Sequence, residues 1–246
     1  MPYLILSDIH SNLEALQAVL EDAAGRYDRI LCLGDLVGYG ADPNAVLDWV
    51  RANVTAVIRG NHDKACVGLV ALELFNGSAR ASAVWTQKQL TQDHMEYLGR
   101  LPRGPLAYAG NPGEESFDLV HGSPLDEDEY LLSPNDLVPV YGELSTRLTF
   151  FGHTHVQGGF VMSNEGISAL PGQGSRTLDA GHLWLINPGS VGQPRDRDPR
   201  AAYALYTPES RMIEYRRAVY DIETAAAKIR AAGLPERLAA RLSAGI

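Results

Sequence analysis

Short apolar runs alternate with stretches of helical spacing along the first third of the chain. Tyr3–Ser7 has the continuous apolar character of a strand covered on both faces. Ser11-Asn12-Leu13-Glu14 has the form of a capping box, and Leu13, Leu16, Val19 and Leu20 follow at helical spacing. Arg29–Leu33 predicts a second strand ending in Gly34-Asp35. Pro43 opens a helix to about Arg51, with Val46, Leu47 and Val50 on one side. Val54–Ile58 predicts a third strand, followed by Gly60-Asn61-His62-Asp63. Strands joined by helices of this length favour a parallel sheet.

Residues 63–101 carry no strand pattern and read as mostly helical, suited to capping a sheet edge. Beyond them the period changes. Leu106–Ala109, Ser116–Val120, Leu148–Phe151, Gly158–Met162, His182–Ile186, Ala202–Tyr206 and Met212–Arg216 all read as short strands separated by Gly and Pro clusters. Asp221 caps a helix to about Ala232, Gly233 stops it, and a last helix follows Pro235. The expectation is an α/β fold of two stacked mixed sheets covered by helices, with residues 1–246 as a single domain.

Composition narrows the partners. With 45% hydrophobic and 21% charged residues in 246, the chain is ordinary for a globular protein. The opening apolar run is too short for a signal peptide, and no later one is long enough to cross a membrane, so a cytoplasmic location is expected. Two cysteines, Cys32 and Cys66, make no disulfide framework. A formal charge of −9 argues against a nucleic-acid partner, which clustered Lys and Arg would hold. It leaves room for a small phosphate substrate, because bound metal reverses the local sign of a site.

The candidate chemistry lies at strand ends. Asp8-Ile9-His10 follows the first strand, Asp35 the second and Asn61-His62 the third. His121 follows Ser116–Val120, and His153-Thr154-His155 follows Leu148–Phe151. The carboxyl ends of parallel strands line one crevice, so five segments can deliver these side chains to one place. Singly, each has an ordinary reading: Asp8 as a helix cap, Asp35 as a turn residue, Asn61 as a left-handed turn, His121 and His153 as core histidines. Those readings would have to hold at every site together. Carboxylate, imidazole and amide oxygen suit divalent Mn, Fe or Zn, and a carboxylate such as Asp35, alone on its strand end, can bridge two ions.

In these blocks the sequence resembles the calcineurin-like metallophosphoesterase superfamily. Asp8-Ile9-His10, Gly34-Asp35, Gly60-Asn61-His62-Asp63, His121 and Gly152-His153-Thr154-His155 appear in the family's order. The likeness is greatest to the small bacterial and archaeal phosphodiesterase branch, through Asp8-Ile9-His10-Ser11-Asn12, Asn187-Pro188-Gly189-Ser190-Val191-Gly192 and the C-terminal helix. The resemblance implies a four-layer αββα sandwich and two divalent metal ions. It implies Asp8, His10 and His155 on the first ion, Asn61, His121 and His153 on the second, and Asp35 between them. His62 would be the non-ligand histidine that reaches the scissile phosphate, protonated to stabilise its charge or to protonate the leaving group.

Departures from the family pattern shape the expected substrate. Branches that grip phosphate with an Arg after the Gly-Asp block have no match here, where the stretch is Gly34-Asp35-Leu36-Val37-Gly38-Tyr39-Gly40. Tyr39 at that place favours a phosphodiester over a monoester, which gains more from a guanidinium. The loop Gln193-Pro194-Arg195-Asp196-Arg197-Asp198-Pro199-Arg200 offers Arg195 and Arg197 as replacement substrate contacts; its plainer reading is a surface loop of paired charges. The rival functions are a phosphomonoesterase or nucleotide hydrolase on the same scaffold, and a non-catalytic binding scaffold.

Overall fold

The computed structural model describes residues 1–246 apart from the side chain of Leu74. The first half contains β1 (Tyr3–Leu6), α1 (Leu13–Asp22), β2 (Arg29–Cys32), α2 (Pro43–Asn53), β3 (Ala56–Val57) and α3 (Asn61–Cys66). Then come α4 (Gly77–Gln89) and α5 (Gln92–Gly99). The second half contains β4 (Leu106–Tyr108), β5 (Phe117–Leu119), β6 (Leu148–Phe150), β7 (Gly158–Ser163), β8 (Gly166–Pro171) and β9 (Ser175–Thr177). It ends with β10 (Leu183–Asn187), β11 (Ala201–Thr207), β12 (Met212–Ala218), α6 (Ile222–Ala231) and α7 (Glu236–Ala244).

The strands form two mixed sheets of six, in the orders β3-β2-β1-β11-β12-β9 and β4-β5-β6-β10-β7-β8. Each sheet has a parallel trio, β1-β2-β3 in one and β5-β6-β10 in the other. The alternation along β1 shows how the layers stack. Tyr3 and Ile5 enter the core between the sheets, while Leu4 and Leu6 enter the core under the helices. Phe117, Leu119, Leu148, Phe150 and Ile186 supply the other wall of the inter-sheet core. The outer face of the second sheet buries Val120, Phe151, Phe160 and Leu185 under Leu131, Leu137 and Val140, from a segment with 3₁₀ turns. This is the α/β sandwich of two stacked, helix-flanked sheets that the element pattern predicts.

Two local expectations change. Ser11 does not cap α1. It sits at a left-handed φ of 53°, because the N–H groups of His10 and Ser11 are drawn to Asp35 O and Leu36 O. Asn12 caps in its place, its Oδ1 accepting from Ala15 N at 3.1 Å. The pattern also passes over β8 and β9, which are largely exposed, so no apolar alternation marks them. Among the described residues no helix is long and apolar enough to cross a membrane.

Candidate metal centre and its rim

The carboxyl ends of both parallel trios point to one crevice. Each contributing loop turns sharply straight after its strand. Seven of the nine non-glycine residues with left-handed backbone lie here: Asp8, His10, Ser11, Asp35, Tyr39, His153 and His155. Such conformations are costly for residues with a Cβ, and their concentration marks a functional site. The loops lock onto one another. Asp8 N donates to Gly34 O at 3.0 Å, and Gly152 N to His121 O at 2.8 Å. Gly60 has no Cβ for a geometric reason: one there would lie 2.1 Å from Asp35 Oδ1.

All seven expected ligands converge. Asp8, His10, Asp35 and His155 can each bring a ligand atom within 4.8 Å of the others, and so can Asp35, His121 and His153. Asp35 belongs to both groups. Its Oδ1 accepts the His62 N–H at 2.8 Å, while Oδ2 lies 3.5 Å from His10 Nε2 and 3.4 Å from His121 Nε2. Asp8 Oδ1 lies 3.3 Å from His155 Nε2, and Asn61 Oδ1 lies 3.2 Å from His121 Nε2.

The donor set fits cations better than it fits itself. His10, His121 and His155 each place Nδ1 on a main-chain carbonyl, of Val37, Leu33 and Gln193, at 3.1, 2.7 and 2.6 Å. A carbonyl only accepts, so each Nδ1 carries the proton and Nε2 turns inward as the coordinating atom. Burial holds His10 and His155 below the usual imidazole range, so both are neutral. Their Nε2 lone pairs then face each other at 3.1 Å, an arrangement that a cation between them relieves. Asp8 Oδ1 is buried without a hydrogen-bond partner. Burial opposes charge on His121, yet Asp35 and Asp8 outweigh it and hold that imidazole up at about 10. The two carboxylates call for positive charge at this spot.

Residues 1–211 match the calcineurin-like phosphoesterase superfamily domain. The chain belongs to that superfamily. It is 40% identical to an uncharacterized protein of Methanocaldococcus jannaschii, over 98% of this chain and 97% of that one. Its fold matches the crystal structure of a metallophosphoesterase from Sphaerobacter thermophilus with a TM-score of 0.84 and 40% identity, covering 100% and 99% of the two chains. A hypothetical protein from Pyrococcus horikoshii OT3 matches with a TM-score of 0.79 at 20% identity, covering 100% and 98%, a likeness of fold alone.

In this phosphoesterase an aromatic and cationic rim adjoins the cluster. A cavity of about 210 Å³ is lined by Tyr39, Asn61, His62, Phe75, Tyr130 and His153, among others. The Tyr39 ring packs 4.3 Å from His62 and 4.5 Å from His10, and Tyr130 lies 3.9 Å from the His153 ring. Burial lowers His62 to about 4 against the opposing pull of Asp35, so it is neutral near pH 7 and not protonated as its expected role supposes. Its Nδ1 is buried without a partner, which leaves Nε2 for the pocket. Arg195 stands over Tyr39, with its guanidinium carbon 5.8 Å from the ring centroid and Nη2 3.3 Å from the hydroxyl. Arg197 does not join the rim. It is exposed, its N–H donates to Gly245 O, and among the described residues its side chain makes no hydrogen bond to the site.

Several residues that hold this phosphoesterase's site together have no role assigned in the sequence reading. Asp63 accepts from the N–H groups of Gly60, Leu36 and Val37 and so ties the β2 and β3 loops together. The Asn187–Gly192 stretch is also a brace. Asn187 Nδ2 donates to Gly152 O and Thr154 Oγ1, and Ser190 Oγ donates to Asp8 O. Buried Lys64 and half-buried Arg59 clasp Glu127 at 3.0–3.1 Å, fixing α3 to the segment after His121. An acid at the third position after Gly60, able to reach back to the Gly60 N–H, was a signal in the sequence for such a brace.

Proposed function

We propose that this phosphoesterase is a phosphodiesterase with a dinuclear centre acting on a small or accessible phosphate ester. In this reading Asp8, His10 and His155 would hold one divalent cation, Asn61, His121 and His153 would hold the second, and Asp35 would serve both. The observation that carries it is Asp35 Oδ2, nearly equidistant from His10 and His121 Nε2 at 3.5 and 3.4 Å. The mixture of nitrogen and oxygen donors suits Mn, Fe or Zn. Cations held there would supply a nucleophilic water near neutral pH and would neutralise phosphate charge.

The chain's own groups do the rest. Asp35 keeps its bridging oxygen aimed because its other oxygen is anchored by the His62 N–H. Neutral His62 donates a ring N–H to a phosphate or leaving-group oxygen, a role worth roughly 10²–10⁴-fold in rate. Arg195 meets the single charge of a diester beside Tyr39, where Arg-bearing relatives place their own guanidinium; Arg197 has no part in the reading. Residues 1–246 act as one domain, supported by Lys228 of α6, which reaches Asp42 at 2.8 Å and also Glu14. A cytoplasmic site of action agrees with the unpaired Cys32 and Cys66.

Turnover of bis(p-nitrophenyl) phosphate and p-nitrophenyl phosphate, with Mn²⁺ added, tests the assignment. A higher kcat/KM on the diester is expected. A large preference for the monoester would replace the reading by a phosphomonoesterase. Metal-loaded protein that turns over neither would contradict an enzyme.

A further inference from the structure

The cavity beside the ligand cluster has more aromatic wall than a phosphate needs. Asn61, His62 and His153 line it from the cluster's side, while Phe75, Asn76 and Tyr130 line it and belong to no ligand set. Phe75 closes the 3₁₀ turn Leu72–Leu74 just before α4. Its ring meets His62 edge-on at 88°, with centroids 5.4 Å apart. Tyr130 comes from the segment after His121, and its ring lies 3.9 Å from that of His153. Two rings from distant segments thus reach the cavity, each in contact with a histidine of the site.

Core packing does not account for both rings. Phe75 packs against the helix-side core yet stays half-buried, and Tyr130 is 47% exposed. The neighbours of Tyr130 are tied down: Asp128 Oδ2 accepts from Lys64 Nζ at 2.6 Å, and Leu131 is buried on the outer face of the second sheet. The cavity, about 210 Å³, falls below the roughly 300–1,000 Å³ of sites that enclose a whole drug-sized ligand, so it takes one ring system. Among the described residues its lining includes no Lys or Arg, and Lys64 spends its ammonium on Glu127 and Asp128. The group that enters is therefore uncharged. Asn76 adds a polar edge: its Oδ1 accepts from Ala79 N at 3.1 Å, which leaves Nδ2 to donate to a ring heteroatom.

We propose that Phe75 and Tyr130 form a subsite for an uncharged planar aromatic ring of the substrate, an aryl group or a nucleobase carried by the phosphate ester. The proposal rests on the phosphate-ester reading above. Matched phosphonates test it without turnover, because they have no ester bond at the carbon–phosphorus link. Methylphosphonate and phenylphosphonate carry the same charge and differ by a ring. The analogues of ribose 5-phosphate and AMP in which a methylene replaces the ester oxygen differ by the adenine. Binding to the Mn²⁺-loaded protein is read by calorimetry, with metal content measured in the same samples.

In at least one pair the ring-bearing member is expected to bind about tenfold more tightly, the gain that stacking a base on an aromatic side chain gives. A margin in the phenyl pair alone assigns the subsite to an aryl ester, and one in the adenine pair alone to a nucleotide. Phe75→Leu, which keeps the apolar bulk, and Tyr130→Ala should each remove most of the margin, with far smaller changes in metal content and in binding of the ringless member. Tyr130→Phe should keep it. Tyr141→Ala removes an exposed tyrosine outside the cavity and should also keep it. No margin in either pair, or an equal loss in Tyr141→Ala, would overturn the proposal, even in a protein that hydrolyses phosphate esters. A margin without any turnover would refute the hydrolase reading and leave the aromatic subsite standing.

Discussion

The ligand cluster and the rim beside it are held in opposite ways. In the cluster every contributor but the half-buried Asn61 is buried, most of its loops are strained, and three imidazoles are pinned through Nδ1 to carbonyls of neighbouring loops. At the rim, Tyr39 and Arg195 come from distant segments, and Arg195 keeps its Nε without a partner. The cluster is preorganised before any ligand arrives; the rim holds a charge awaiting one. Reaction chemistry in this molecule should therefore fail abruptly when its support is cut, while recognition should fail by degrees.

The largest effect is expected where the two regions meet. His62→Ala should cut diester turnover by roughly 10²–10⁴-fold while retaining metal, because His62 faces the pocket and hydrogen-bonds the cluster only through its main chain, its ring merely packing edge-on 4.9 Å from His10. A lost ion in that variant would make His62 a ligand. Gly60→Ala attacks the cluster's support. The new methyl meets Asp35 Oδ1 and must push that carboxylate aside, lowering metal content and costing about 1–3 kcal/mol of stability. Full metal content and turnover in Gly60→Ala would show that the cluster is not rigid.

Rim variants should separate recognition from chemistry. Arg195→Ala is expected to lower kcat/KM about tenfold or more, through KM, at unchanged metal content and melting temperature. Unchanged kinetics would return the arginine to the surface.

The smallest effect belongs to the loop that carries it. Hydrogen bonds from Arg200, with Arg217 nearby, lower Asp198 to about 2. That lies below the value near 3.9 of an unfolded chain, so the pair stabilises above about pH 4 and the contribution is lost as pH falls toward 2. Asp198→Asn should lower the melting temperature slightly at pH 7, by no more than ~1 kcal/mol in stability, with the difference vanishing near pH 2. A difference that grows toward acid would reverse the sign of the account.

The same contrast decides what was legible in the sequence. Each ligand lies within a few residues of a strand end, so apolar runs followed by Asp8, Asp35, His121 or His153 announce the crevice. Both sheets follow from the same runs. Arg195 announces little: it sits among alternating charges, and only its contact with Tyr39 brings it to the rim. Asp63 and Asn187 stand in quoted motifs but carry no role there, because their work is done on backbones of other loops. The neutrality of His62 depends on burial by Tyr39 and its neighbours, which no linear spacing encodes.

The central claim is that one carboxylate serves two cations. Protein purified without chelator and loaded with Mn²⁺ should contain two ions per chain, and Asp35→Asn should lose affinity for both, because Oδ2 faces His10 and His121 alike. Saturation at one ion per chain, with Asp35→Asn binding it as the wild type does, would contradict the account.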